Sequence, residues 1–368
     1  MAEHDSEHTW LTIPEIVQSA HDSLDKSIWD YSAGGADDEV TLRRNRLAFE
    51  TYAFNTRVLT GVGTPQVSTT FLGHELRVPV LFAPIGSIAR FHPDGALACA
   101  QAATTAGVAS FVGCLSAPSL EEVRRGSTCP LFFQLYMYGD RDWATALVRR
   151  AEDAGYGAIC VTVDTAAYGR RERDLHNRFF PRQTVEKPNL ETGLIFSGTL
   201  ASDGFNARFT WSDLDWLRET TNLPIMLKGI SSAADAQSAV DIGIDTVYVS
   251  NHGGRQLDHA PATIEVLSEV VGAVHGRAQV LVDSGFMRGS DIVKAIALGA
   301  DAVVIGKLMA WALAAGGLDA LVRTVELLET EMRSVMGNVG ARRLGDLNAD
   351  TLRRVAPTQD MPWPLTIG

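Results

Sequence analysis

The sequence predicts an α/β fold: a (β/α)8 TIM barrel with an N-terminal helical extension and a long lid loop after the fourth strand. Three observations carry that reading. Eight short apolar runs recur between longer alanine-rich stretches. The runs are apolar throughout rather than alternating, as a parallel sheet covered by helices requires. The stretches between them close on glycine, the residue favoured just past a helix C-terminus.

Taken in order, residues 1–77 form the extension, with a helix-like start at "TIPEIVQSAHDSL" and a glycine break at "SAGGADDE". Strands are expected at "VPVLFAPIG" (78–86), "VASFVG" (108–113), "PLFFQLY" (130–136) and "AICVTVD" (158–164). Four more follow at "PIMLKGI" (224–230), "TVYVSN" (246–251), "QVLVDSG" (279–285) and "AVVIGK" (302–307). Helices lie between them at stretches such as "GALACAQAATTAG", "DWATALVRRAEDAG", "AADAQSAVDIG" and "GSDIVKAIALG". A doubly wound open sheet is the competing arrangement, but no G-x-G-x-x-G follows the first strand, so a closed barrel over residues 78–310 is preferred. Residues 179–209 break the rhythm with Pro181, Pro188, Gly193, Gly198 and Gly204, and a loop this long at the active face reads as a lid. Residues 311–368 hold a final helix around "LDALVRTVELLETEMRSVM" and a tail, which makes residues 1–368 a single domain.

Composition narrows the function. With 46% hydrophobic and 21% charged residues the chain is an ordinary globular protein, and a net charge of −12 argues against nucleic acid as a partner. The start "MAEHDSEHTW" lacks the features of a secretory signal. The four cysteines, Cys99, Cys114, Cys129 and Cys160, show no C-x-x-C spacing and sit in or near apolar stretches, as reduced thiols in a cytoplasmic protein do. The most apolar windows fall short of the ~20 residues of a spanning helix, so no membrane span is expected. No metal site is expected either.

In such barrels the C-terminal strand ends carry the chemistry. Here they present Gly86 and Ser87, Gly113, Gln134 and Tyr136, Thr162 and Asp164, Lys228, Asn251 and His252, Asp283, and Gly306 with Lys307. In "SNHGGRQLD" (250–258), two glycines separate His252, a candidate base, from Arg255, whose fork pairs a carboxylate through parallel bonds. Asp164 reads either as a helix cap or as the carboxylate that orients His252 and raises its pKa above about 6.5. A strand-end ammonium at Lys228 calls for an anionic partner or a depressed pKa, and a cofactor would supply the anion. The run "YGRRERDLHNRF" carries Arg170, Arg171, Arg173 and Arg178, either as a solvated face or with one turned inward. The turns after strands seven and eight, at "DSGFMRG" and Gly306-Lys307, occupy the corner where barrels bind phosphate.

Five stretches together, "SNHGGRQLD", "FFQLYMYGDRD", "VTVDTAAYGRRERDLHNRF", "PIMLKGI" and "DYSAGGADDEVTLRRN", resemble the FMN-dependent L-2-hydroxy-acid oxidase and dehydrogenase family, which includes glycolate oxidase, lactate oxidase, lactate monooxygenase and mandelate dehydrogenase. The resemblance runs from about residue 12 to 345. It implies FMN as cofactor, an (S)-2-hydroxy acid oxidised to the 2-oxo acid with oxygen or another acceptor taking up the electrons, and a homo-oligomer, tetramer or octamer. His252 resembles the family's base, Asp164 its orienting carboxylate, Arg255 and Arg171 the carboxylate clamp, and Tyr31 and Tyr136 the substrate-bonding tyrosines. Lys228 matches the lysine beside flavin N1 and O2, and Gln134 and Thr162 match pyrimidine-ring contacts. The implied cofactor set is completed by Pro84, Ile85, Gly86, Gly113, Ser250, Asp283, Gly285, Arg288, Gly306 and Lys307.

Several positions depart from the family pattern. Gly113 replaces a flavin-bonding serine, Ser284 stands where many members have glycine, Met287 takes the place of an FMN-contacting arginine with Arg288 next door, and Lys307 replaces the phosphate arginine. Gly86 stands where the oxidases carry alanine, and Leu115 lies near a bulky tryptophan position, which suggests room for a larger or aromatic side chain. The competing readings are a flavin-poor barrel acting as a binding or scaffold protein, and an FMN barrel isomerase.

Overall fold

The computed structural model describes residues 9–179, 187–190 and 209–357. Most of the expected 179–209 lid lies outside the described residues. Thr12 caps α1 (Ile13–Ser23), with a proline in its first turn. After it come α2 (Lys26–Ala33), α3 (Val40–Leu47), β1 (Tyr52–Phe54) and the hairpin β2 (Thr69–Phe71) and β3 (His74–Leu76).

The repeating units begin with β4 (Val80–Phe82), α4 (Gly95–Ala106), β5 (Ala109–Gly113), α5 (Leu120–Arg125), β6 (Leu131–Leu135) and α6 (Arg141–Asp153). They continue with β7 (Ile159–Thr162), α7 (Glu172–His176), α8 (Asp213–Thr220), β8 (Ile225–Ile230), α9 (Ala233–Asp241) and β9 (Thr246–Val249). The last are α10 (Thr263–Val274), β10 (Gln279–Val282), α11 (Gly289–Ala297), β11 (Ala302–Ile305) and α12 (Lys307–Val339), and β12 (Leu352–Arg354) follows. Each of the eight expected barrel runs contains one strand, and β4 to β11 close in sequence order, all parallel. Local chemistry agrees: Ser119 and Glu122 form a reciprocal capping box on α5, and Gly107 ends α4 in the left-handed conformation.

Alternate side chains along each strand point into the barrel, so residues two apart stack towards its mouth. The lower layers are apolar, with Leu81, Phe111, Phe132, Cys160, Met226, Tyr248, Leu281 and Val304. Two positions further along β6 to β10 the same inward rows carry Gln134, Thr162, Lys228, Ser250 and Asp283, all buried. The switch from packing to chemistry is thus made within single strands. The β2–β3 hairpin closes the other end, with Phe71 set edge-on to Phe132.

Two features differ from expectation. The final helix starts at Lys307, directly after β11, and kinks at Gly316–Gly317, where a side chain on Gly316 would collide with the ring of Trp10. This helix is long and apolar enough to cross a membrane by length and composition, but 67% of its apolar window is buried inside the protein, where it packs on α1, α4 and α11. The short strands outside the barrel were illegible because three-residue pieces carry no periodicity; β1 pairs with β12 and so ties the N-terminal segment to the region after α12.

Candidate active site

A cavity of about 260 Å³ opens at the C-terminal mouth of the barrel. Of the anticipated residues, Tyr31, Pro84, Ile85, Gly86, Tyr136, Arg171, Lys228, His252, Arg255, Asp283, Gly285, Gly306 and Lys307 line it. Gln134, Thr162 and Ser250 lie in the inward rows of Lys228 and Asp283, and Asp164 sits against His252. Gly113 and Gly86 have steric reasons. A Cβ on Gly113 would stand 3.0 Å from Gln134 Oε1, and one on Gly86 would stand 2.7 Å from Leu115 Cβ.

His252 Nδ1 lies 3.0 Å from Asp164 Oδ1 and 3.2 Å from Oδ2. That contact fixes the proton on Nδ1 and leaves Nε2 as the acceptor, which the Tyr136 hydroxyl meets at 3.3 Å. Asp164 is therefore an orienting partner rather than a simple helix cap. Burial alone would raise its pKa, but the charges of His252 and Lys228 outweigh that and hold it below the usual carboxylate value. The expectation that Asp164 raises the histidine is corrected: burial, aided by Lys228 and Arg171, outweighs Asp164 and lowers the His252 pKa below its ordinary value. A neutral imidazole at pH 7 is the form that can accept a proton. Burial pushes the Tyr136 phenol well up, so it stays protonated and donates.

Lys228 has a partner within the protein. Its Nζ donates to Ser250 Oγ at 2.8 Å and lies 3.5 Å from Asp283 Oδ2. Burial would depress its pKa, but Asp283 and Asp164 more than offset this, so the ammonium stays charged. Tyr248 donates to the same Asp283 oxygen at 2.9 Å.

Two guanidiniums face the cavity. Arg171 Nη1 donates to the Tyr168 hydroxyl at 2.6 Å and Nη2 to Gln256 Oε1 at 3.3 Å. Arg255 Nη1 donates to the carbonyls of Tyr31 and Gly34, and the guanidinium lies 4.7 Å from the Tyr31 ring centroid. Burial and then the charge of Arg171 lower the Arg255 pKa. Buried Asp174 offsets part of this charge; burial raises its pKa, and the two arginines recover only part of that. In a chain of net charge −12, Arg171, Arg255 and Lys228 make a local cationic field suited to a small anion. The same arginines outweigh burial at Tyr31 and hold its phenol below the ordinary value.

The N-terminal segment completes the site because the 252–254 turn is shaped to receive it. Ala36 N donates to Gly254 O at 2.8 Å, and Asn45 and Asn251 exchange amide hydrogen bonds at 2.9 and 2.7 Å. Gly254, at φ +73°, lies so close to α3 that a Cβ would stand 2.6 Å from Leu42 N. Gly254→Ala is expected to cost about 2 to 4 kcal/mol in denaturant unfolding, from left-handed strain plus the clash. Gly253→Ala is expected to cost only about 1 to 2 kcal/mol, because a Cβ there would meet Lys307 Cε at 3.7 Å. Equal costs would contradict the close-approach argument.

Two anticipated cofactor residues are placed differently. Arg288 does not reach the cavity; its Nη2 pairs with Glu331 Oε1 at 2.7 Å, so it does not stand in for an arginine at Met287, which lines the cavity itself. Lys307 lines the cavity, but its ammonium donates to the carbonyls of Ser32, Ala33 and Gly34 at 2.5, 3.1 and 2.9 Å, and so caps the C-terminus of α2. Burial and then Arg255 lower its pKa well below the ordinary value. Sequence reasoning missed Tyr138, Tyr168 and Gln256 on the cavity wall. Their signal was proximity alone: each lies within three residues of Tyr136, Arg171 or Arg255.

Similarity to known proteins shows the family. The model of the FMN-dependent dehydrogenase family matches residues 20–354, and the chain belongs to that family. It is 39% identical over 352 residues to a peroxisomal (S)-2-hydroxyacid oxidase of Arabidopsis thaliana, covering 93% of this chain and 96% of the relative. It is 41% identical over 356 residues to an L-lactate oxidase of a Nostoc species, covering 93% and 98%. Among solved structures, a soluble mutant of the membrane-associated (S)-mandelate dehydrogenase from Pseudomonas putida matches with a TM-score of 0.87 at 35% identity, over 94% of this chain and 99% of that one. A mutant mandelate oxidase solved with (S)-mandelic acid matches with a TM-score of 0.84 at 40% identity, over the same shares.

FMN is the cofactor, and the site suits it. Gln134 Oε1 is buried without a hydrogen-bond partner, while its Nε2 donates to Thr162 Oγ1 at 2.9 Å, in the inward layer that also carries Lys228. A flavin's polar pyrimidine edge satisfies such a group, which would otherwise cost about 1 to 3 kcal/mol.

Proposed function

We propose that this enzyme oxidises an (S)-2-hydroxy acid to the 2-oxo acid, with oxygen or another acceptor closing the cycle. The observation that carries the reading is the convergence of a neutral, carboxylate-oriented His252 and two guanidiniums on one cavity. Arg171 and Arg255 hold the substrate carboxylate, and this fixes the hydroxyl against His252 Nε2 in place of the Tyr136 hydroxyl. His252 takes the hydroxyl proton, and Asp164 stabilises the imidazolium that results. Tyr31 and Tyr136 orient the substrate oxygens. Bound FMN would supply the acceptor for the α-hydrogen and its electron pair, which balances the proton taken by His252. Lys228, Gln134, Thr162, Ser250 and Asp283 would hold its ring side, with Pro84, Ile85, Gly86, Gly285, Gly306 and Lys307 bordering it.

The wall formed by Phe91, Leu115, Tyr138 and Tyr168 favours a larger or aromatic substrate side chain, as do relatives named for mandelate. The test is anaerobic mixing of the yellow holoenzyme with glycolate, lactate, mandelate and a longer 2-hydroxy acid, followed by turnover with oxygen and with an artificial acceptor. Bleaching that favours mandelate over glycolate is expected; colour unchanged by every member would overturn the reading.

The lowered His252 pKa sets the pH dependence. Because burial disfavours the imidazolium, the basic form persists below pH 6.5, and kcat/KM is expected to fall only as pH drops through a midpoint below that value. Stability follows the same sign, since the unfolded chain binds the proton first as pH falls. An acid limb centred above pH 7 would contradict the burial argument.

A further inference from the structure

The turn that carries His252 has an unusual backbone. His252, Gly253 and Gly254 lie in succession at φ +59°, +69° and +73°, and on the facing loop Ser284 and Gly285 lie at +79° and +86°. Left-handed geometry is unfavourable for residues with a Cβ, so a histidine and a serine in it must be held by their surroundings. Glycine would fit position 284 without strain, yet the chain carries serine.

The hydroxyls explain what that serine does. His252 N donates to Ser250 Oγ at 3.1 Å, and Gly253 N donates to Ser284 Oγ at 3.0 Å. Ser284 in turn donates its proton to Asp283 Oδ1 at 2.7 Å, while Lys228 Nζ donates to Ser250 Oγ at 2.8 Å and lies 3.5 Å from Asp283 Oδ2. These contacts form a closed ring in which two serine hydroxyls bridge consecutive backbone N–H groups to one buried ion pair.

We propose that Ser284 is a positioning residue: its hydroxyl locks the 252–254 turn to the Lys228–Asp283 pair and so aims the imidazole of His252 at the substrate oxygen. The inference rests on the reading of His252 as the base. The Ser284 hydroxyl lines the cavity but bonds to Gly253 N and Asp283 and to neither imidazole nor guanidinium, so its effect falls on the orientation of the base and not on capture of the substrate carboxylate. With alanine the strain remains and the bridge is lost; with glycine both go.

The test compares Ser284→Ala and Ser284→Gly with the parent holoenzyme in anaerobic rapid mixing with the best 2-hydroxy acid, alongside hydrogen exchange of the peptide spanning residues 250–258. Both variants are expected to lose about tenfold in limiting flavin-reduction rate, with substrate dissociation constants within about twofold of the parent. Exchange at Gly253 is expected to quicken by about tenfold or more as its acceptor is lost. The glycine variant keeps the test open should the alanine variant fold poorly. A limiting rate within about twofold of the parent in both, or in Ser284→Gly alone, would overturn the inference, since the second pattern assigns the effect to strain. Parent-like exchange at residues 252–254 in both would overturn it independently. A parent flavin that no 2-hydroxy acid bleaches would instead sink the functional reading.

Discussion

His252→Ala is expected to leave the protein yellow and to slow bleaching of its flavin by a 2-hydroxy acid by about 10³- to 10⁴-fold, the range for removal of a positioned general base. The magnitude follows from the surroundings. Within hydrogen-bond reach of Nε2 the described residues offer only the Tyr136 hydroxyl, whose pKa burial pushes well up, so the remaining group is a donor and cannot replace the base. Colour is expected to persist because the anticipated ring-holding residues, Lys228, Gln134 and Thr162, are fixed by Ser250, by Asp283 and by each other, and not by the imidazole. The substrate dissociation constant, read from the concentration dependence of bleaching, is expected to move by less than about fivefold, since the carboxylate is held elsewhere. A variant that bleaches at the parent rate would remove His252 from the mechanism.

Arg255→Met is expected to act mainly on binding. Two charge-assisted hydrogen bonds to a carboxylate, at about 1.5 to 3 kcal/mol each, predict a KM raised about 100-fold or more and kcat/KM lowered further. Arg255→Lys keeps the charge but loses the fork, so an intermediate KM is expected in steady-state assays. The variant should also loosen the N-terminal segment, because Arg255 caps the carbonyls of Tyr31 and Gly34 at the end of α2. This coupling predicts that Arg255→Met loses more than Arg171→Met, whose guanidinium bonds to Tyr168, Gln256 and the Arg255 carbonyl and leaves α2 untouched. A KM unchanged in both variants would dissolve the clamp.

The barrel was legible because each strand pairs an apolar run with a terminal glycine or polar residue, and the inward rows from Phe132 to Gln134 and from Met226 to Lys228 follow from a period of two. The strand-end chemistry was legible for the same reason, as Asp164, Lys228 and His252 sit one to three residues past the packed apolar positions Val163, Leu227 and Val249. What escaped depended on direction rather than position. Arg288 and Lys307 stand where a phosphate-binding residue would, yet one turns to Glu331 and the other to the end of α2, choices made by neighbours hundreds of residues away or on another helix. The sign of the His252 shift escaped because sequence names the carboxylate partner but not the depth of burial that outweighs it. Tyr168 and Gln256 escaped because a loop residue announces its partner only once two loops meet, as theirs do around Arg171.

The most direct measurement is a crystal structure of the FMN-loaded enzyme with a slowly reacting 2-hydroxy acid analogue. Its carboxylate should bridge Arg171 and Arg255, and its C2 oxygen should lie about 2.6 to 3.2 Å from His252 Nε2. A carboxylate seated on Lys307, with Nε2 still on Tyr136 and no ligand oxygen near it, would contradict the shared pocket on which the function rests.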